Sequence, residues 1–561
     1  MSNPPSPNPK NAENLFFEHF VTLATAPDGI ARLRELILQL AVQGKLGTQD
    51  ERDEPASVLL ERIRKEKERL IKEEKIKKEK PLQPVRDSDV GFQIPDIWVL
   101  TRLGEIAQYN AEKKTSANEI SEDAWVLDLE DIEKDTSRIL QKMRFKDRQS
   151  LSTKSRFRKG DVLYGKLRPY LNKVVVADED GYCTTEIVPI RPYAKIFPKY
   201  LMYAIKTPDF LSYVNSKTYG IKMPRLGTVD ALNTIIPLPP LAEQHRIVAK
   251  VDRLMAICDE LEARQQQERA GCLKLSTASL AGLQNAESTE EFERQWALVC
   301  DAFDLILDCP ENVAVLRQTI LQLAVQGRLV RQDQEDEPAK KLVERIKKEK
   351  GRLVKEGKIK REKPLDKIKA VPYKVPDGWQ LCQLGEISEI IMGNSPPGDT
   401  YNIYGDGVPL INGPTEFSKN PLGKTIVSQY TTQPTKFCKE NDLLICVRGA
   451  TTGRTNIAGF DACVGRGVAV IRSLSIQSYL NLFTLTKAQQ ILNMGTGSTF
   501  PSISQNDLLT IPVPLPPLAE QHRIVAKVDA LMALCDALEA RLKERAGVQE
   551  RFAVAVIGEF S

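Results

Sequence analysis

The 561-residue chain reads as an α+β protein in which two mixed α/β domains are separated by long antiparallel helices, arranged as a pseudo-two-fold circular repeat. Three observations lead there. A sixteen-residue stretch, 237–252, returns unchanged at 514–529. Extended to Arg264 and Arg541, the two windows are 28 residues long and differ at 3 positions: Arg253 for Ala530, Ile257 for Leu534 and Glu260 for Ala537. A second segment, 33–46, matches 316–329 at 11 of 14 positions. Before each copy of the first stretch lies a region whose interior differs between copies. A chain of this length is too long for one core.

Taken in order, residues 1–14 are polar and proline-rich and predict a disordered tail without the apolar core of a signal peptide. A helix is expected over 15–46, with Gly44 as its C-terminal stop. A charged helical arm follows over 47–92. The next region, 93–240, opens with Pro95, Asp96 and Trp98 and alternates short β-rich runs with Gly, Pro, Asn and Asp. A central helical spacer is expected over 241–330, a second arm over 331–373, a second mixed region over 374–517 and a closing helix over 518–561.

The repeated stretch reads as a helix start. Its prolines suit an extended lead-in and a first turn, where no N–H bond is lost. Glu243 sits in that first turn, where a negative charge suits the helix dipole. Ile247, Val251, Leu254, Cys258 and Leu261 then recur at steps of 4, 3, 4 and 3, the seam of a packed helix pair. The second copy supplies Ile524, Val528, Leu531, Cys535 and Leu538. The 15–46 helix matches the later part of the central region and the closing helix its earlier part, so the two chain ends are expected to form a second copy of the central pair.

Composition narrows the class. There is no run of about eighteen apolar residues, which argues against a membrane helix. The 10 cysteines contain no C-x-x-C pair, which points to reduced thiols in a cytoplasm and away from a zinc or disulfide framework. The net charge of +4 is uneven: 61–80 carries +4 and 344–363 carries +6. Such runs suit a solvated helix face, or an arm that contacts phosphates or a partner. His245 and His522 lie in first turns, and packing or capping fits them better than catalysis or metal binding.

Two Pro-Leu-Pro-Pro-Leu-Ala-Glu-Gln helix starts, two Leu-Ala-Val-Gln-Gly-Lys/Arg-Leu segments and a variable region before each helix start together resemble the specificity subunit of a type I restriction-modification system. The resemblance covers nearly the whole chain. It implies that each variable region is a target-recognition domain reading one half of a split double-stranded DNA sequence. It further implies that the helices set the spacing and dock two modification (methyltransferase) subunits, with restriction (translocase/nuclease) subunits completing the complex. Ile247, Val251, Leu254, Leu261, Ile524, Val528, Leu531 and Leu538 are then the helix-pair and partner interface.

Candidate DNA contacts follow from residue type. Arg, Lys, Tyr and Asn on strand–loop junctions supply phosphate contacts and base-edge donors. In the first domain these are Arg156, Arg158, Lys166, Arg168, Tyr170, Asn172 and Lys173, with Lys222 and Arg225 in the last loop. In the second they are Arg448, Thr451, Thr452, Arg454 and Arg466, with Ser498 and Thr499 in the last loop. Each is also at home as an ordinary surface residue, and the loop glycines also serve turns. Counting back from the repeated helix start aligns Gly220 with Gly497, Pro224 with Pro501 and Asp230 with Asp507. No G-x-x-x-x-G-K-S/T loop and no Asn-Pro-Pro-Tyr/Phe motif is present. Recognition without catalysis is expected, with S-adenosylmethionine, ATP and Mg2+ on partner subunits. The duplication alone also suits a helical scaffold whose two variable domains bind proteins.

Overall fold

The fold is that of a computed structural model describing residues 9–76, 81–86, 89–110, 112, 114–148, 152–193, 195–220, 222–361, 365, 368, 371, 373–494 and 502–558. The chain divides into two compact units, Met1–Glu268 with Arg545–Ser561, and Arg269–Glu544. No helix among the described residues is long and apolar enough to cross a membrane.

In the first unit the expected single helix over 15–46 is two, Pro9–Thr25 and Gly29–Val42. Pro27 cannot continue a helix, and Asp28 takes a left-handed conformation at φ 53. The chain turns so tightly here that a Cβ on Gly29 would run into the Leu23 carbonyl. The helix also begins inside the segment expected to be a tail, whose residues 1–8 lie outside the described range. Gly44 stops the second helix as anticipated, at φ 72, with the Lys45 amide donating to the Leu40 carbonyl at 2.8 Å.

The first arm forms an α-helix over Ala56–Lys72 and the second over Ala339–Lys355, shorter than the arms expected, with no other α-helix in either arm among the described residues. The expected stops at Lys80 and Lys363 lie outside the described residues. Each arm buries an apolar side: Leu59, Leu60 and Ile63 in one, Leu342, Val343 and Ile346 in the other. Lys67 donates to the Gly104 carbonyl at 2.6 Å, and Lys350 to that of Gly385. The arms are therefore helices packed on the start of the domain that follows, with a solvated basic face.

The first domain is entered and left through an antiparallel pair, Val99–Arg102 with Ile235–Leu238. Behind it lies a four-stranded sheet in the order Ala107–Tyr109, Ile187–Pro192, Val162–Gly165, Val174–Val176. A five-stranded sheet completes the domain, with Trp125–Leu127 running parallel to Gly181–Thr184. The first long helix, Leu241–Asn285, starts directly after the entry pair. Ile247, Val251, Leu254 and Cys258 are buried in one cluster with Leu33, Leu36, Ile37 and Leu40, and Leu261 packs against it half-buried. The tail of the second long helix, Leu518–Gly558, also reaches this unit: Ala553 and Val556 join the same cluster as Phe16 and Leu23. Arg32 bonds Glu550 at 2.7 Å, so the two chain ends meet within this unit.

The second unit repeats the plan. Gln380–Gln383 pairs with Pro512–Leu515, and the four-stranded sheet runs Ser388–Met392, Val468–Ser473, Leu443–Cys446, Thr455–Ile457. Its five-stranded sheet keeps four strands in the first domain's order around the recurring parallel pair, Val408–Ile411 with Ala462–Val464, and carries its remaining strand on the opposite edge. The expected central spacer over 241–330 is interrupted. Leu241–Asn285 ends, then Thr289–Asp301 and Pro310–Val325 follow after Ser288 and Pro310 restart helices. Leu280 and Leu283 pack with Val299 in this unit. Ile524, Val528 and Cys535 are buried with Ile320, Leu321 and Ala324, while Leu531 and Leu538 lie half-buried on the same cluster.

Candidate nucleic-acid interface

Each domain is fixed to its helix by the same buried polar knot. The Trp98 indole donates to Glu243 at 2.8 Å, and the Trp379 indole to Glu520 at 2.8 Å. Thr48 completes the first carboxylate at 3.0 Å and Gln332 the second at 3.1 Å. Gln244 and Gln521 donate back to the carbonyls of Pro239 and Pro516 at 3.0 and 2.9 Å. The Tyr200 and Tyr479 hydroxyls donate to the carbonyls of Pro237 and Pro514. Burial raises the proton affinity of Glu243 and Glu520, opposed by the indole bonds. Arg246 clamps Asp53 and Arg523 clamps Asp336, tying each helix start to the segment ahead of its arm. His245 stacks on Phe197 with centroids 4.3 Å apart, a packing role.

From this anchored base, both domains bring the same two loops together. In the first, Leu167 and Arg225 form an isolated antiparallel bridge, and the Arg168 amide donates to the Pro224 carbonyl at 2.7 Å. In the second, Arg448 and Ser502 form the corresponding bridge. Arg225 and Ser502 stand the same number of residues before the repeated helix start, so the bridge falls at an equivalent position in both domains. Apart from the aligned glycine and proline of the last loop, the residues of these loop pairs differ between the domains.

In the first domain the loop pair presents Arg168, Tyr170 and Lys222 to solvent, with Lys166 half-buried. Arg168 stands at φ 50, and no side-chain partner of Arg168, Tyr170, Lys166 or Lys222 occurs among the described residues. Tyr219 and Met223 are exposed beside them, two side chains that residue type alone did not single out. Other candidates serve the fold. Arg225 grips Glu186 with contacts of 3.0 to 3.3 Å. Asn172 donates to the Lys206 carbonyl and Lys173 to that of Leu129. Arg156 and Arg158 lie at the strand Lys154–Phe157 of the other sheet, and Arg158 pairs with Glu112 at 2.9 Å.

In the second domain, Arg448 and Arg466 line one open cleft of about 1300 Å³ together with Tyr401, Asn412, Glu416 and Gln429. Both arginines are exposed and have no carboxylate partner among the described residues. Thr452 is buried in the turn after Arg448, bonding the Gly449 carbonyl at 2.7 Å, and Thr451 is half-buried beside it. Arg454 donates to the Ser418 carbonyl at 3.1 Å and is thereby engaged within the fold. Ser498 and Thr499 lie outside the described residues. Asn412, Glu416 and Gln429 carried no local signal in the sequence, because long-range strand pairing brings them to the cleft.

Comparison with known proteins agrees with this duplicated plan. The family described as "Type I restriction modification DNA specificity domain" matches residues 95–269 and 376–546. The EcoAI type I restriction enzyme specificity subunit of Escherichia coli is 33% identical over 94% of this chain and 93% of its own length. The EcoEI specificity subunit of Escherichia coli is 32% identical over 94% and 93%. A chain solved in work on complex assembly and conformational transition of the type I R-M system superposes with TM-score 0.53 at 24% identity, covering 84% of this chain and 98% of its own, a likeness of fold. With the domain matched twice and relatives aligned nearly end to end, the chain belongs to the family of type I restriction-modification specificity subunits, which serve DNA sequence recognition.

Proposed function

We propose that the two bridged loop pairs are the DNA-contacting surfaces, and that each domain reads one half of a bipartite double-stranded target. The observation that carries this is the identical loop bridge carrying unlike side chains in the two domains. A like frame with unlike tips is what two different half-sites require, since base readout lies in the side chains and positioning in the backbone. The long helices set the separation of the half-sites and dock two modification subunits. Exposed apolar side chains on the helices support that docking, Phe17, Val21, Phe552 and Val554 in the first unit and Leu273, Trp296 and Leu298 in the second. This chain supplies no catalytic group. S-adenosylmethionine, ATP and Mg2+ belong to the modification and restriction subunits, and the assembly acts as an adenine methyltransferase and nuclease.

The test is the salt dependence of cognate DNA binding by the assembled methyltransferase. Lys/Arg contacts release counterions, so log affinity falls linearly with log salt. Arg168→Ala and Lys222→Ala are expected to weaken binding and to reduce that slope by about one for each phosphate the side chain neutralises. An affinity independent of salt, unchanged in both variants, contradicts the reading.

A further inference from the structure

The second domain's cleft holds a feature with no counterpart among the described residues of the first: two unpaired guanidiniums on rigid mounts facing one polar hollow. Arg466 sits between Gly465 and Gly467 on a turn pressed against Asn412. A Cβ on Gly465 would clash with the Asn412 side chain, and one on Gly467 would meet the Asn412 carbonyl. The turn is pinned by the Gly465 amide donating to the Ile411 carbonyl at 2.9 Å and the Arg466 amide to Ser395 Oγ at 3.2 Å. Arg448 is held by the bridge to Ser502, just past a strand whose residues Leu443–Cys446 are all buried.

The cleft floor is oriented as well. Glu416, 2% exposed, accepts from the amides of Asn412 and Gly413 at 3.1 and 3.2 Å. Its other oxygen accepts from Ser428 at 2.7 Å and from the Gln429 amide nitrogen at 3.2 Å. With its nitrogen committed to a carboxylate, Gln429 turns its carbonyl oxygen elsewhere as an acceptor. Glu416 is thereby hydrogen-bonded within the protein, and it forms no ion pair with Arg448 or Arg466 among the described residues.

A phosphate contact needs only a positive charge and tolerates a mobile one. A base contact needs a donor fork at a fixed place, and an arginine bidentate to the O6 and N7 of guanine is the commonest specific contact. From the rigid mounts, the absence of ion pairs among the described residues and the polar hollow between, we infer that this cleft is a guanine-reading site. Arg448 and Arg466 each specify a G·C pair in the second half-target through the major groove. This rests on the reading that the domains contact DNA, and it adds the base identity and the two residues that determine it.

The experiment uses the assembled methyltransferase, with methylation mapped over a plasmid library randomised through both half-sites. The unsubstituted chain is expected to require guanine at two positions of the second half-target, counting either strand. Arg448→Ala and Arg466→Ala should each abolish the guanine preference at one position, by about ten- to hundredfold, and leave the first half-target as it was. Arg466→Lys should retain binding and lose discrimination, because lysine lacks the fork. Arg168→Ala is measured alongside. If Arg168→Ala weakens methylation while both cleft variants keep the full motif and lose only affinity, the arginines are phosphate contacts and this inference falls alone. If no variant in either domain changes methylation at all, the DNA-contact reading itself falls. A second half-target without guanine on either strand also overturns the inference.

Discussion

Glu243 and Glu520 are acids placed where burial raises their proton affinity, and an indole holds each one there. Their raised folded-state pKa has a definite sign in stability. The contribution is fully present below the ordinary glutamate pKa and is lost as pH rises through the raised value, because the unfolded state ionises more easily. Glu243→Gln removes that ionisation while keeping an oxygen for the Trp98 indole. Melting curves from pH 4 to 7 should therefore show this variant gaining on the parent as pH rises. Trp98→Phe, by contrast, strips the buried carboxylate of a partner and should cost about 1–3 kcal/mol at every pH in that range. A pH-independent difference for Glu243→Gln would mean the carboxylate is not desolvated. The sequence marked this glutamate as a helix-dipole partner. That it is also the socket for the tryptophan opening the domain was foreshadowed only by both residues recurring in both copies.

Among the helices and strands, apolar periodicity was the reliable signal. The steps of the repeated stretch correctly placed Ile247, Val251, Leu254, Ile524 and Val528 in the two cores. Helix continuity was less legible: Pro27 and the turn at Gly29 divide what apolar content alone made one helix. The charged arms lost their ambiguity only in part, since their buried sides are visible in the fold and their basic faces remain in solvent. Both long helices, not only the first, contribute residues to both units. Four residues inserted after Arg264 alone would therefore add about 6 Å to one helix and nothing to its equivalent. Matched insertions after Arg264 and Arg541 should lengthen the unread spacer by about one to two base pairs, at roughly 3.4 Å per pair. Four residues are close to one turn, so the seam continues with a stutter. Mapping methylated sites for the double insertion checks this. A spacer of the original length with activity intact would show that these helices do not set it.

Across the chain as a whole, the duplication was plain in the sequence because like frames need like packing. The reading surfaces were not, because they depend on which loops the strands carry together. Of the arginines named from residue type alone, Arg225 and Arg454 support the fold, and Arg168, Arg448 and Arg466 have no side-chain partner among the described residues. Charge and loop location cannot separate these classes, whereas a nearby Glu186 or Ser418 carbonyl can. On the proposed function, each domain body reads one half-target on an interchangeable frame. The matching entry pairs, Val99 opposite Leu238 and Gln380 opposite Leu515, give equivalent joints for an exchange. The decisive measurement is the methylated sequence produced by an assembled enzyme whose residues 380–515 are replaced by a second copy of 99–238. The expected product is a target in which the first half-site occurs twice and the original second half-site is no longer required. Methylation that still requires the original second half-site would show that the domain bodies do not carry the readout.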